Sequence, residues 1–139
     1  MCKFKNIIQP GDTVVEIGGH IGFISQYFSR LVGESGRVIV FELGSNNLPY
    51  TEKNPKNDNI WLEEMAVSDK PGEAFFYEDN ITGQNNSLLS DYKNADDVSI
   101  SHSEKLIKTK RGVKVTTLDE YLAEKKIPCD FIKIDIEGY

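Results

Sequence analysis

The stretch Thr13-Val14-Val15-Glu16-Ile17 followed by Gly18-Gly19-His20-Ile21-Gly22 constrains the fold more than any other part of this 139-residue chain. Thr13 to Ile17 is β-branched with a single charge, as expected of a strand buried on both faces. Gly18 and Gly19 break it. From Ile21 to Val32 the apolar residues Ile21, Phe23, Ile24, Tyr27, Phe28, Leu31 and Val32 recur mostly at steps of three and four, the spacing of an amphipathic helix. Gly33 and Gly36 end that helix. Arg37 to Glu42 then reads as a second buried strand around Val38-Ile39-Val40-Phe41. Strand, glycine turn, helix and strand make a βαβ unit, whose crossover is almost always right-handed.

Elsewhere, Lys3 to Ile8 reads as the last turns of a short helix, closed by Gln9-Pro10-Gly11-Asp12. Pro49 and Pro55 leave room for a short helix over Pro49 to Asn54. Ile60 to Val67 resumes strand character, and Ser68 to Gly72 is a turn with proline then glycine at its centre. Glu73 to Tyr77 reads as an extra strand. Asp79 to Ser103 is polar and rich in Asn, Asp and Ser, which predicts a long loop. Val113 to Thr116 is a short strand, Leu118 to Lys126 a helix with Asp119 and Glu120 in its first turn, and Cys129 to Ile136 a last strand. Strands alternating with helices predict one α/β domain over residues 1–139, with a doubly wound, Rossmann-like, mostly parallel sheet.

Composition narrows the partners. The formal net charge of −6, from 16 basic and 22 acidic residues, argues against a nucleic-acid surface, and Lys105 to Lys114 is the only short basic cluster. Cys2 and Cys129 stand far apart and match no metal-ligand spacing. No apolar run approaches the roughly 20 residues of a membrane span. The N-terminus lacks the apolar stretch of a secretory signal, so a cytoplasmic location is expected.

In open α/β sheets ligands bind beyond the carboxyl ends of the strands, where the strand order reverses. Three parts of the sequence fall there. In the first turn Gly18 allows a sharp bend, Gly22 lets helix and strand pack closely, and the helix N-terminus offers free N–H groups. Glu42 ends the second strand, where a carboxylate can accept hydrogen bonds from both hydroxyls of a ribose. Asp135 and Glu137 end the last strand, two residues apart and so on one side if the chain stays extended. A dinucleotide fingerprint asks for glycine where this turn holds His20, and again where it holds Phe23, which disfavours NAD. No phosphate-binding G-x-x-x-x-G-K-[ST] is present, and the carboxylates lack a convincing third metal ligand, so no metal is expected. His102 falls in the polar loop and is expected to be solvated.

Six segments in order carry a resemblance. Gln9-Pro10-Gly11-Asp12 leading into Val15-Glu16-Ile17-Gly18-Gly19-His20-Ile21-Gly22, then Val40-Phe41-Glu42, Ala66-Val67-Ser68-Asp69, Asn86-Ser87-Leu88, Val115-Thr116-Thr117-Leu118-Asp119 and Phe131-Ile132-Lys133-Ile134-Asp135-Ile136-Glu137-Gly138 resemble the FkbM family of class I S-adenosylmethionine-dependent methyltransferases. The resemblance implies S-adenosylmethionine as cofactor. Glu16, Gly18, Gly19 and His20 would line its methionine part, Glu42 would hold its ribose, Met65 and Ala66 would lie along its adenine, and Gly22 belongs to the same cofactor-binding set. Asp135 and Glu137 would border the transferred methyl, with Asp135 first choice as base, and Asn86 to Leu88 would lie over the cleft. The implied reaction is in-line methylation of a hydroxyl on a small molecule or sugar.

This chain departs from the family in two places. Leu43-Gly44-Ser45 stands where proline and a long helix usually follow Glu42. The chain also stops at Tyr139, after the fourth core strand, where the family continues. A last strand left at an edge invites pairing with another copy, so a homodimer or larger assembly is expected there. Two other readings stay open: a non-catalytic S-adenosylmethionine-binding or interaction module, and an NAD-dependent oxidoreductase.

Overall fold

The computed structural model describes residues 4–45, 47, 58–79, 87–88 and 108–136. A 3-10 turn at Phe4–Asn6 precedes β1 (Thr13–Ile17), α1 (Phe23–Val32) and β2 (Arg37–Phe41). Then come β3 (Ile60–Glu63), β4 (Ala66–Val67), β5 (Gly72–Asp79), β6 (Ser87–Leu88), β7 (Lys108–Thr116), α2 (Leu118–Lys125) and β8 (Phe131–Ile134).

The strands form two sheets. Sheet A has the order β3-β2-β1-β8, and every neighbouring pair in it is parallel. From β1 the chain moves outward to β2 and β3, then returns to add β8 on the other side of β1. The order therefore reverses between β1 and β8, and there the carboxyl ends leave a crevice. Both faces of the central strands β1 and β2 are covered, as in a doubly wound fold. On one face Phe28 and Val32 of α1 pack on Val14, Val38 and Val40. On the other, Tyr121 of α2 and Ile127 pack on Val15, Ile17, Ile39 and Phe41. Burial on both sides explains why β1 and β2 lack the alternation of a half-exposed strand.

Local chemistry sets the helix ends. Gly22 caps α1 with a left-handed φ of 79° and supplies no side-chain acceptor to the first turn. Asn59 closes the other end, donating from Nδ2 to the carbonyls of Ser29 and Gly33 and accepting from Ser29 Oγ. In α2 the Thr117 side chain accepts from the Glu120 N–H, the ordinary N-cap arrangement.

Sheet B, with the order β4-β7-β5-β6, departs from the single sheet expected. Its β4–β7 pair is parallel, and its β5–β7 and β5–β6 pairs are antiparallel. The stretch read as one strand over Ile60 to Val67 divides at Glu64 and Met65, sending β3 to sheet A and β4 to sheet B. The β7 strand begins at Lys108, five residues before the expected Val113, because Lys108 to Gly112 pair with Phe75 to Asp79. Ser87 and Leu88, expected within a loop, pair with Tyr77 and Phe76. Leu43, Ala66, Phe76, Val113 and Val115 form the apolar cluster of sheet B. The helix expected at residues 49–54 and most of the polar loop, His102 included, lie outside the described residues.

Among the described residues no helix is long and apolar enough to cross a membrane.

Candidate cofactor site

Parallel register sets four strand ends level with one another. Ile17 lies opposite Phe41 on one side and Ile134 on the other, and Phe41 lies opposite Glu63. The next residues, Gly18, Glu42 and Asp135, stand together at the carboxyl edge, with Glu64 and Met65 just beyond β3. The sequence thus brings its three separate candidate regions to one place.

The turn after β1 is tight. Gly18 adopts a φ of +84°, and a Cβ there would lie 2.2 Å from the carbonyl oxygen of Asp135. The Asp135 N–H donating to the Ile17 carbonyl ties that approach, and on the other side of β1 the Gly18 N–H donates to the Phe41 carbonyl. Gly19 is buried, and a Cβ there would meet Val40 Cγ1 at 2.2 Å. His20, with a φ of 49°, is exposed and turns the chain left-handed. That bend directs its backbone N–H onto Glu42 Oε2 at 2.6 Å.

Glu42 is 8% exposed, and its other oxygen accepts from the Gly44 N–H at 2.6 Å and from Asn47 Nδ2 at 3.4 Å. The carboxylate is therefore held by backbone groups of two turns, one from each strand end. Hydrogen bonds to charged acceptors are the stronger kind, and they fix its direction.

Glu16 lies at 0% exposure. One of its oxygens accepts from Ser25 Oγ at 2.5 Å and the other from Lys133 Nζ at 2.9 Å. Burial pushes the Glu16 carboxyl above the ordinary carboxylate range, against the opposing pull of Ser25 and Lys133. Lys133 reaches Asp135 Oδ2 as well, at 3.5 Å, and the Asp135 side chain is 72% exposed. A short charged row thus runs from the base of the first turn to the open edge. Met65 packs part-buried against the apolar cluster that includes Ile17, Phe41 and Tyr121, and Ala66 is buried in sheet B. Glu137 lies outside the described residues.

Sequence reasoning missed Ser25, Lys133, Gly44 and Asn47. A usable signal existed for Lys133. Two apolar runs, Thr-Val-Val-Glu-Ile and Phe-Ile-Lys-Ile, each carry one charge of opposite sign, and the register sets the buried Glu16 opposite Lys133. Buried charges are almost always paired.

The profile of the FkbM methyltransferase domain matches residues 16–139. The chain belongs to the FkbM methyltransferase family. The family's cofactor is S-adenosylmethionine. Three solved structures are similar to parts of this chain. A Clostridium thermocellum protein described as an rRNA methylase is 29% identical over 44% of this chain and 35% of its own, with a TM-score of 0.41. A SAM-dependent methyltransferase from Aquifex aeolicus is 28% identical over 49% of this chain and 39% of its own, with a TM-score of 0.40. A protein-L-isoaspartate O-methyltransferase is 26% identical over 45% of this chain and 20% of its own, with a TM-score of 0.39. The matched region therefore spans well under half the length of each of these chains. A comparison with curated proteins finds no significant match.

The residues present fit this cofactor. Glu42 is aimed by two backbone N–H groups. With His20, Gly44 and Asn47 as donors, one lone-pair position stays open on Oε2 for a ribose hydroxyl, and a second opens on Oε1 when the long 3.4 Å contact from Asn47 is given up. The first turn of α1 has no side-chain cap, which leaves N–H donors for a carboxylate.

Proposed function

We propose that this chain builds the cofactor side of an S-adenosylmethionine-dependent O-methyltransferase acting on a hydroxyl of a small molecule or sugar. The observation that carries the reading is the convergence of Gly18, Glu42 and Asp135 on one sheet edge, with Glu42 fixed by the N–H groups of His20 and Gly44. Glu42 would take the ribose hydroxyls, and the uncapped start of α1 the methionine carboxylate. Gly18, Gly19, His20 and Gly22 shape the turn between them. Glu16 supports that turn from beneath through Ser25, and Met65 and Ala66 follow β3 on the side assigned to adenine.

The bound cofactor supplies an already activated methyl group, so the protein has little covalent chemistry to perform. Its tasks are to hold the acceptor oxygen in line and to accept the hydroxyl proton. Asp135 suits the second task because its carboxylate is exposed at the edge and steadied by Lys133. Glu137 is the second candidate. The NAD reading has less support, since His20 occupies the turn where a pyrophosphate asks for glycine.

The test is transfer of a labelled methyl group to a panel of hydroxylated small molecules and sugars, with RNA and protein acceptors alongside. Transfer is expected to the hydroxylated panel. Asp135→Asn should lower the rate by roughly 10²- to 10⁴-fold, the usual worth of a positioned base, with cofactor affinity unchanged. Transfer confined to RNA or protein would contradict the acceptor class, and full activity of Asp135→Asn would remove it as base.

A further inference from the structure

Sheet B carries an arginine and a glutamate that each hold a backbone group of the turn after β2. Arg111, in β7, donates from Nη2 to the carbonyl oxygen of Leu43 and from Nη1 to the carboxylate of Glu64. Glu78, in β5 and 8% exposed, accepts the backbone N–H of Ser45 at 2.5 Å. The two side chains lie side by side, with Arg111 Nε 3.9 Å from Glu78 Oε2. No hydrogen bond forms at that distance, and among the described residues Arg111 Nε is the one buried side-chain polar atom without a partner. The guanidinium gives up its close approach to Glu78 in order to reach Leu43 and Glu64.

The Leu43 carbonyl and the Gly44 N–H belong to one planar peptide group and point in opposite directions. A guanidinium on the oxygen therefore aims the N–H. That N–H is the 2.6 Å donor to Glu42 Oε1. A Cβ at residue 44 would lie 2.7 Å from Asn47 Nδ2 and 2.8 Å from Glu42 Oε1, so a side chain there would push aside the groups that this turn holds. Glu78 then holds the far end of the turn through Ser45. Both ends of Leu43-Gly44-Ser45 are thus tied to sheet B, and the carboxylate of Glu42 is held between this turn and His20.

We propose that Arg111 and Glu78 are positioning residues for Glu42, and that sheet B serves cofactor recognition by clamping the turn that orients this carboxylate. The proposal rests on Glu42 as the partner of the ribose. A carboxylate released from the turn must be ordered again when the cofactor binds, and that ordering lowers affinity.

The experiment titrates S-adenosylhomocysteine into the parent chain, Arg111→Met, Arg111→Lys, Glu42→Gln and the double variant Arg111→Met/Glu42→Gln. It also follows the Gly44 amide proton by NMR without ligand. Arg111→Met should bind roughly 5- to 20-fold more weakly, the scale of one charge-assisted hydrogen bond. Arg111→Lys, still able to donate to Leu43, should recover part of that loss. In the Glu42→Gln background Arg111→Met should cause no further loss, because the two residues act as one unit. The Gly44 amide proton should move upfield in Arg111→Met and in Glu42→Gln alike. Should Arg111→Met fail to fold, Glu78→Ala against Glu78→Gln makes the same comparison, since glutamine keeps an acceptor for Ser45. Undiminished affinity in a folded Arg111→Met protein, or losses that simply add, overturns the clamp. Should the parent itself not bind, the reading of Glu42 falls instead, and the Gly44 resonance decides the clamp: displaced by Arg111→Met it stands, unmoved it fails.

Discussion

Gly18→Ala is expected to lose about 4 kcal/mol of folding stability or more, beyond the range of ordinary substitutions. Two effects combine. A residue with a Cβ in the left-handed region costs about 1–2 kcal/mol on its own, and Gly18 has a φ of +84°. The added carbon would also lie 2.2 Å from the Asp135 carbonyl oxygen, which is backbone and cannot swing aside. Relief requires β8 to move away from β1, breaking the pairing that runs from Val14–Phe131 to Ile17–Ile134. Gly112→Ala is the matched control. A Cβ at Gly112 meets nothing within 4 Å, so this change should stay within about 0.5 kcal/mol of the parent. Urea unfolding of both variants measures the difference. A Gly18→Ala protein as stable as Gly112→Ala would show that the turn does not approach β8 as described.

The second large effect concerns Glu16 and Lys133. Removing one partner of a buried ion pair costs about 3–5 kcal/mol because the other charge is left behind; the 20% exposure of the Lys133 side chain moderates this to roughly 2–4 kcal/mol for Lys133→Met. The loss should depend on pH. The folded-state pKa of Glu16 is raised above its ordinary value of 4.5. Between the ordinary and the raised value the folded protein holds a proton that the unfolded chain has released. Its contribution to stability therefore falls as pH rises through that window and is level above it. Lys133→Met removes an influence that opposes the raised pKa, so it should widen the window toward alkaline pH and deepen the loss. Glu16→Gln should do the reverse, gaining stability relative to the parent across the window and then holding level. Unfolding curves at a series of pH values check both. A Glu16→Gln protein whose difference from the parent does not change with pH would contradict the raised pKa of the buried Glu16.

These residues also show how far the sequence could be read. The βαβ unit was legible because β1 and β2 are buried on both faces and write that burial as unbroken apolar runs. Glu42 was legible because one helix and one strand separate it from Gly22, which places it at the neighbouring strand end. Asp135 followed from the same topology. Sheet B was not legible, because its strands are half exposed and their pattern is mixed with charge. The Lys108 to Gly112 part of β7 reads Lys-Thr-Lys-Arg-Gly, a composition that suggests a solvated loop, and it becomes strand only through pairing with β5. Tertiary pairing overrode local preference there. The division of Ile60 to Val67 between two sheets was hidden because Glu63-Glu64 reads as a polar pair within one strand, with no glycine or proline to mark the break. The clamp on Leu43 and Ser45 was hidden for another. Arg111 and Glu78 lie far along the chain from the turn that they hold, and neither stands in a recognisable motif. The departure from the family after Glu42 was visible as Leu43-Gly44-Ser45, and the structure gives that glycine a purpose in the close packing of Gly44, Asn47 and Glu42.

The central claim is that the edge formed by Gly18, Glu42 and Asp135 is a cradle for S-adenosylmethionine. Calorimetric titration of the parent chain with S-adenosylhomocysteine and, separately, with NAD tests it most directly, with Glu42→Gln alongside. S-adenosylhomocysteine should bind, NAD should not, and Glu42→Gln should weaken the binding by about 10- to 100-fold, the loss of hydrogen bonds to a charged acceptor. Binding of NAD without S-adenosylhomocysteine, or equal affinity of Glu42→Gln and the parent, would contradict it.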